Sequence, residues 1–242
     1  MRRCLLFALM MAAAASFASP GTVDLKPVST EISDQPPLQE IPVPALEEFP
    51  GLVASERQLE FEVSRYYASD GARWIRLRSQ FDSAFRAKAE DILATLWDFE
   101  GSPKVFSRIE ESHVRSLSDD GTVAVTVQRT GVRILGFAYL SDVVFRTELK
   151  RNGPVTKVES EAIEVDHTVL TSRNSWILVE GQDASGPITY VRYSLDSYVA
   201  PKFPVQEWLM RKFGGSDMRE LIRELRAATT KRAKAGRESA SR

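Results

Sequence analysis

The chain has 242 residues, 43% of them hydrophobic, with 32 basic against 33 acidic side chains. That is enough to bury a substantial core, while the formal charge of −1 leaves no basic excess to neutralise the phosphates of a nucleic acid. Cys4 is the only cysteine, which excludes an intramolecular disulfide framework. His113 and His167 are the only histidines, on separate segments without ligand spacing, so neither a metal nor another cofactor is expected.

The first residues read as an address. Arg2 and Arg3 precede the apolar run Leu5–Ala15, and Ser16-Phe17-Ala18 offers a small-x-small cleavage site. This predicts a secretory signal peptide over residues 1–18, with an apolar run too short to span a bilayer comfortably. Cleavage there would leave no cysteine in the exported chain, which removes thiol chemistry and points to a periplasmic protein held by its core alone. Residues 19–54 hold seven of the twelve prolines. Proline lacks the amide hydrogen and drives its predecessor to extended shapes, so this stretch is predicted to be a flexible linker. Ile41, Val43 and Leu46 make it a candidate docking arm for a partner.

From Ser55 the pattern changes. Leu59, Phe61 and Val63 alternate with polar residues, as do Ile75 and Leu77 with Trp74 and Arg76, and the Ser69-Asp70-Gly71 break between them predicts a hairpin. Lys88–Phe99 carries Ile92, Leu93, Leu96, Trp97 and Phe99 at helical spacing. The break Gly101–Pro103 then leads through a second short turn into strands. Val123, Val125 and Val127 share one side of a strand; Phe137, Tyr139, Val143, Phe145 and Leu149 share a side of the next. Asn152-Gly153-Pro154 predicts a turn into the polar-faced strand Val155–Val165, and Val169–Glu180 and Ile188–Val199 follow around Asp183–Pro187. Strands spaced by turn signals without intervening helices argue for antiparallel order.

Pro201 and Pro204 end the last strand and begin an amphipathic helix with Trp208, Leu209 and Phe213 on one stripe, continued by Met218, Leu221, Ile222 and Leu225. Gly214-Gly215 is expected to kink or break it, since each glycine costs about 1 kcal/mol of helix stability, with Ser216 or Asp217 capping the second half. Residues 231–242 are basic and Ala/Ser-rich, expected to be a disordered tail able to touch an anionic membrane surface transiently.

The passage LWDFEGSPKVF, followed by IEESHVRSL, the Gly121–Gly131 strand with Gln128 and the Pro201–Leu225 helix, resembles the helix-grip superfamily. That superfamily includes START-type lipid-transfer domains, polyketide cyclase/dehydrase-like proteins and coenzyme Q-binding proteins. The resemblance covers residues 55–230. It implies an α+β, START/Bet v-like fold, a curved antiparallel sheet wrapped round a long C-terminal helix with a short helix pair after the first strands. It also implies a hydrophobic cavity between sheet and helix, without naming the occupant.

On that frame the candidate lining is Trp97, Phe106, Val125 and Val127 from the first half of the sheet region. Phe137, Tyr139, Phe145, Trp176 and Tyr193 follow from the later strands, and Trp208, Leu209 and Phe213 from the helix. Arg129, Arg146, Arg173 and Arg192 each interrupt an apolar run, and Arg192 is the candidate to hold a polar group at the cavity end. Glu159, Glu161 and Glu164 with Glu110 and Glu111 read as a solvated outer face, and no G-x-S-x-G elbow, P-loop or G-x-G-x-x-G pattern occurs. The expected function is an exported carrier for a hydrophobic small molecule or lipid, such as a sterol, hopanoid or quinone. A cyclase/aromatase- or hydrolase-type enzyme would instead need a buried polar pair, such as Arg192 with Tyr190 or His113. A non-catalytic envelope interaction module would use the Pro-rich arm. The oligomeric state is not legible in the sequence.

Overall fold

The computed structural model describes residues 24–28, 41–53, 55–134, 137–202 and 204–240, without the side chains of residues 132–138 and 236–240. The proposed signal peptide lies outside the described residues, as does the side chain of Phe137.

Eight long strands form one antiparallel sheet. They are β2 (Arg57–Tyr67), β3 (Arg73–Phe85), β4 (Ile109–Leu117), β5 (Val123–Ile134), β6 (Phe137–Asn152), β7 (Val155–Val165), β8 (Val169–Asp183) and β9 (Gly186–Val199). Their order is β2-β3-β9-β8-β7-β6-β5-β4, so β9 returns to close beside β3 and leaves β2 and β4 as edges. The hairpins follow from local chemistry. Gly71 sits at φ 81°, where a side chain would be strained, and Asp70 Oδ1 accepts the Ala72 amide at 2.8 Å. Gly153 plays the same part at φ 57° between β6 and β7.

The helix pair lies between β3 and β4: α1 (Ala89–Leu96) and α2 (Ser102–Val105). Glu180 of β8 caps α1 from outside, accepting the Ala89 amide at 2.8 Å, while Ile92, Leu93 and Leu96 turn inward. Asp98 Oδ1 accepts the Gly101 amide at 3.1 Å, and a Cβ on Gly101 would lie 2.6 Å from the other carboxylate oxygen. That contact explains why glycine follows the Trp97–Glu100 run.

The last helix, α3 (Gln206–Ala240), crosses the concave face over β5, β3 and β2 and packs on α1. At 1.5 Å per residue it is about 50 Å long. The expected break at Gly214-Gly215 is absent. A Cβ at 214 would lie 2.8 Å from Phe61 Cζ, and one at 215 would lie 3.3 Å from Gln58 Oε1. The glycines let the helix press onto β2, and the packing offsets their poor propensity. Nor is 231–240 disordered: the helix runs on through these good helix formers, and Arg232 Nη1 donates to Ala94 O at 2.8 Å, tying it to α1.

The leader is also more ordered than its prolines suggest. Lys26–Pro27 forms β1, pairing with Val165 and Glu164 of β7 just beyond the point where β7 leaves β8. A 3-10 helix, Leu46–Leu52, buries Phe49 and Leu52 against β3 and β9. The arm thus docks on its own sheet: apolar anchors beside the prolines supply the burial that composition alone hides.

Candidate functional site

Between the concave face of the sheet and α3 lies a cavity of about 170 Å³. Strand alternation fixes its walls. Phe145 of β6, Val158 of β7, Trp176 of β8 and Tyr193 and Leu195 of β9 point in, while their neighbours Arg146, Glu159, Arg173 and Asp196 point out. Leu96, Phe99 and Phe106 close it from the helix-pair side, and Met210 and Leu221 from α3. The Trp176 and Tyr193 rings meet at 4.5 Å between centroids. Exposed Lys202 marks the end where the cavity meets solvent; its Nζ donates to Leu140 O at 2.8 Å.

The cavity carries one buried ion pair. Arg108, just before β4, is 7% exposed and donates to the Asp217 carboxylate on α3, with Met218 Sδ at 3.6 Å. Tyr193 stands within hydrogen-bonding reach of Arg108. Burial pushes its phenol up from the ordinary tyrosine range, and the guanidinium pulls weakly the other way. The hydroxyl therefore stays protonated at neutral pH and can donate.

Five of the candidate residues line this cavity: Phe106, Tyr139, Phe145, Trp176 and Tyr193. Seven others do not, Phe137 being undescribed. Trp97 packs partly buried at 5.1 Å from Phe99, outside the cavity wall. Val125 and Val127 face outward, opposite Arg146 and Val144, and the inward side of β5 carries Thr126, Gln128 and Thr130 instead. Both sides of β5 mix apolar with polar residues, so alternation alone does not say which is inside. Leu209 sits in the solid core, Phe213 is half-buried, and Trp208 is 55% exposed with Lys212 Nζ 5.0 Å over its ring.

Arg192 is buried, but on the opposite face of the sheet. It donates to Asp82 at 2.8 Å through Nε and to the carbonyls of Ile41 and Pro42, while Tyr190 donates to the same carboxylate at 2.5 Å. Asp82 is fully buried, and Phe49 stacks on Tyr190 at 5.3 Å. This cluster fastens the leader rather than meeting a ligand. His113 and His167 are exposed. The other arginines pair on the outer face, Arg173 with Glu161, Arg129 with Glu110 and Arg146 with Glu148. Among the described residues no three His, Cys, Asp or Glu side chains converge on a possible metal position.

Sequence reading missed Arg108, Asp217 and a set of small polar residues on the inner wall: Thr147, Ser160, Ser172, Asn174 and Ser197. The signal for Arg108 was its place two residues after the Gly-x-Pro-Lys-x-Phe passage. The small polar residues alternate with charged ones in Glu159–Glu161 and Ser172–Ser175, so neither side looked inward.

The sequence profile described as polyketide cyclase/dehydrase and lipid transport matches residues 86–226. No curated protein gives a significant sequence match. Among solved structures, the fold is similar to a STAR-related lipid transfer protein from Xanthomonas axonopodis, at 16% identity and a TM-score of 0.51, over 69% of this chain and 98% of that one. It is also similar to human STARD10, at 13% identity and a TM-score of 0.52, over 84% and 86% of the two chains. Both likenesses concern the fold.

Proposed function

Because the chain belongs to the polyketide cyclase/dehydrase and lipid transport family, we propose that it binds and carries a hydrophobic small molecule in the cavity beneath α3. The observation that carries this reading is the cavity itself. Aromatic and aliphatic side chains from the sheet, α1 and α3 converge on about 170 Å³ that protein atoms leave open. An apolar space of about 150 Å³ suffices to take up a benzene-sized ring, and pockets for larger ligands start near 300 Å³, so a full lipid would need α3 or the helix pair to give. With residues 1–18 read as a signal peptide, the compartment we assign to the carrier is the periplasm.

An enzyme on this frame would have to use Arg108, Asp217 and Tyr193. Asp217 is held in an ion pair and Tyr193 keeps its proton, so the group is built to donate hydrogen bonds rather than to accept a proton. Binding is the reading these residues favour. Loading from a membrane surface is assigned to exposed Val205 and Trp208, beside Lys212, where α3 begins.

Native mass spectrometry of gently purified protein tests the carrier reading. A retained small molecule, or uptake of an added phospholipid, sterol, hopanoid or quinone, supports it. Failure across all four classes overturns it.

A further inference from the structure

The β7–β8 hairpin parts before it reaches its turn. Its ladder runs from Val155 opposite Val179 only as far as Glu161 opposite Arg173, so 162–165 of β7 and 169–172 of β8 do not pair with each other. The β6–β7 and β8–β9 hairpins, by contrast, stay paired up to Asn152 opposite Val155 and Asp183 opposite Gly186. Strand β1 of the leader occupies the split. Lys26 lies opposite Val165, Pro27 opposite Glu164, and the Val28 amide donates to Ile163 O at 3.1 Å. This strand pairs with β7 alone and lies outside the residues 86–226 that the family profile matches.

Behind the split lies the cavity. Thr168, Val169 and Ser172 line it from the β8 side, and Val143 and Phe145 line it from β6. Ala162 and Val165 of β7 form one apolar cluster with Val143, Phe145 and Val169, and Val28 packs against that cluster. Val28 therefore covers residues that form the cavity wall. The width of one strand, about 4.8 Å, passes an aromatic ring edge-on or an alkyl chain. The neighbouring mouth at Lys202 is laced more firmly. There the Ser141 and Thr168 hydroxyls pair at 2.6 Å, the Asp142 amide donates to Asp166 Oδ2 at 2.9 Å, and the Ala200 amide donates to Thr168 O at 2.8 Å.

The two parts of the leader are held unequally. Residues 41–53 are anchored by buried Phe49 and Leu52 and by Arg192. In β1, Lys26 and Pro27 are exposed, Val28 is half-buried, and Pro27 has no amide hydrogen to donate. A segment with so few bonds and so little buried surface opens locally while the rest stays folded. We propose that β1 is a strap across a side entrance to the cavity, and that the ligand passes between β7 and β8 when β1 lifts off β7. This rests on the carrier reading and adds a route and a gate to it. A strap that closes alike over the empty and the filled cavity sets the rates of uptake and release and leaves affinity nearly unchanged.

The test is stopped-flow mixing of the full chain with 1-nitronaphthalene, read by quenching of tryptophan fluorescence. Val28→Pro removes the amide that bonds Ile163 O, so uptake and release should each quicken about tenfold while Kd stays within about twofold. The opposite variant, Val28→Cys/Ile163→Cys in a Cys4→Ser background, places thiols opposite each other across the β1–β7 pair. Its oxidised form should exchange the probe about tenfold more slowly than its reduced form, which serves as its own control and keeps the test open if Val28→Pro melts early. Rates unchanged in Val28→Pro, and equal in the oxidised and reduced forms of the second variant, overturn the strap and leave the carrier reading standing. No saturable binding in any form overturns both.

Discussion

Two clusters of the same three residue types sit on opposite faces of this sheet, and they do different work. On the outer face, Arg192, Asp82 and Tyr190 are sealed beneath the leader, with Asp82 taking hydrogen bonds from both partners and from Arg57 at 3.0 Å. On the inner face, Arg108 and Tyr193 border open volume, and Asp217 holds Arg108 from α3. The residues alternate along β9: Tyr190 and Arg192 point one way, and Val191 and Tyr193 the other. A buried Arg–Asp pair is therefore not by itself a sign of a site. What distinguishes the two is the packing around them, Phe49 and the Ile41-Pro42 backbone in one case and unfilled space in the other.

The sharpest way to break this contrast is to remove the charge on each carboxylate. Asp82→Asn strands Arg192, only 3% exposed, and should cost about 3–5 kcal/mol in thermal or denaturant unfolding while leaving ligand affinity unchanged in whatever protein folds. Opening the seal comes next. Phe49→Ala should lose about 3 kcal/mol and expose residues 41–53 to limited proteolysis, because the ring fills the space over Tyr190 and Ile188. Asp217→Asn should cost less, roughly 1–2 kcal/mol, since the cavity admits water to the stranded guanidinium, but it should shift ligand affinity where Asp82→Asn does not.

The smallest effect is alkaline. Burial pushes Tyr198 up to about 12, and pushes Tyr190 and Tyr193 in the same direction. Each holds its proton in the fold beyond the unfolded value of about 10. Their contribution to stability is complete below pH 10 and is lost as pH rises through the folded values. Melting curves against pH should fall in that window. Tyrosinate absorbance should rise together with the loss of the fold, and Tyr190→Phe and Tyr193→Phe should each lower the rise in that window; ionisation of either phenol near pH 10 in the folded protein would contradict its burial.

Much of the scaffold was readable from the chain. Ser69-Asp70-Gly71 and Asn152-Gly153-Pro154 mark hairpins because their turns need the conformations those residues provide, and the apolar spacing of Ile92, Leu93 and Leu96 marks α1 because it must bury one face. Readings failed where tertiary contact overrides local preference. Gly214-Gly215 breaks no helix because Phe61 needs the space, and the leader docks because Phe49 and Leu52 outweigh the prolines around them. The cavity's aromatic half, Phe106, Tyr139, Phe145, Trp176 and Tyr193, was legible from the resemblance; its polar half was not. Serine and asparagine occur on solvated faces and lined cavities alike, and only the curvature of the sheet decides which side of β7 and β8 is inside. Arg192 and Arg173 show the same limit: each interrupts an apolar run, yet one is buried beneath the leader and the other pairs with Glu161 on the exposed outer face.

The central claim is that the hollow beneath α3 receives the ligand, and Val158→Phe tests it most directly. The added ring projects from β7 into that space and fills part of it. Titration of the wild type and of this variant with a naphthalene probe, followed by quenching of tryptophan fluorescence at Trp176, should give saturable binding in the first. The variant, melting within a few degrees of the wild type, should bind at least tenfold more weakly. A folded Val158→Phe protein that binds the probe as tightly as the wild type would place the ligand elsewhere and contradict the account.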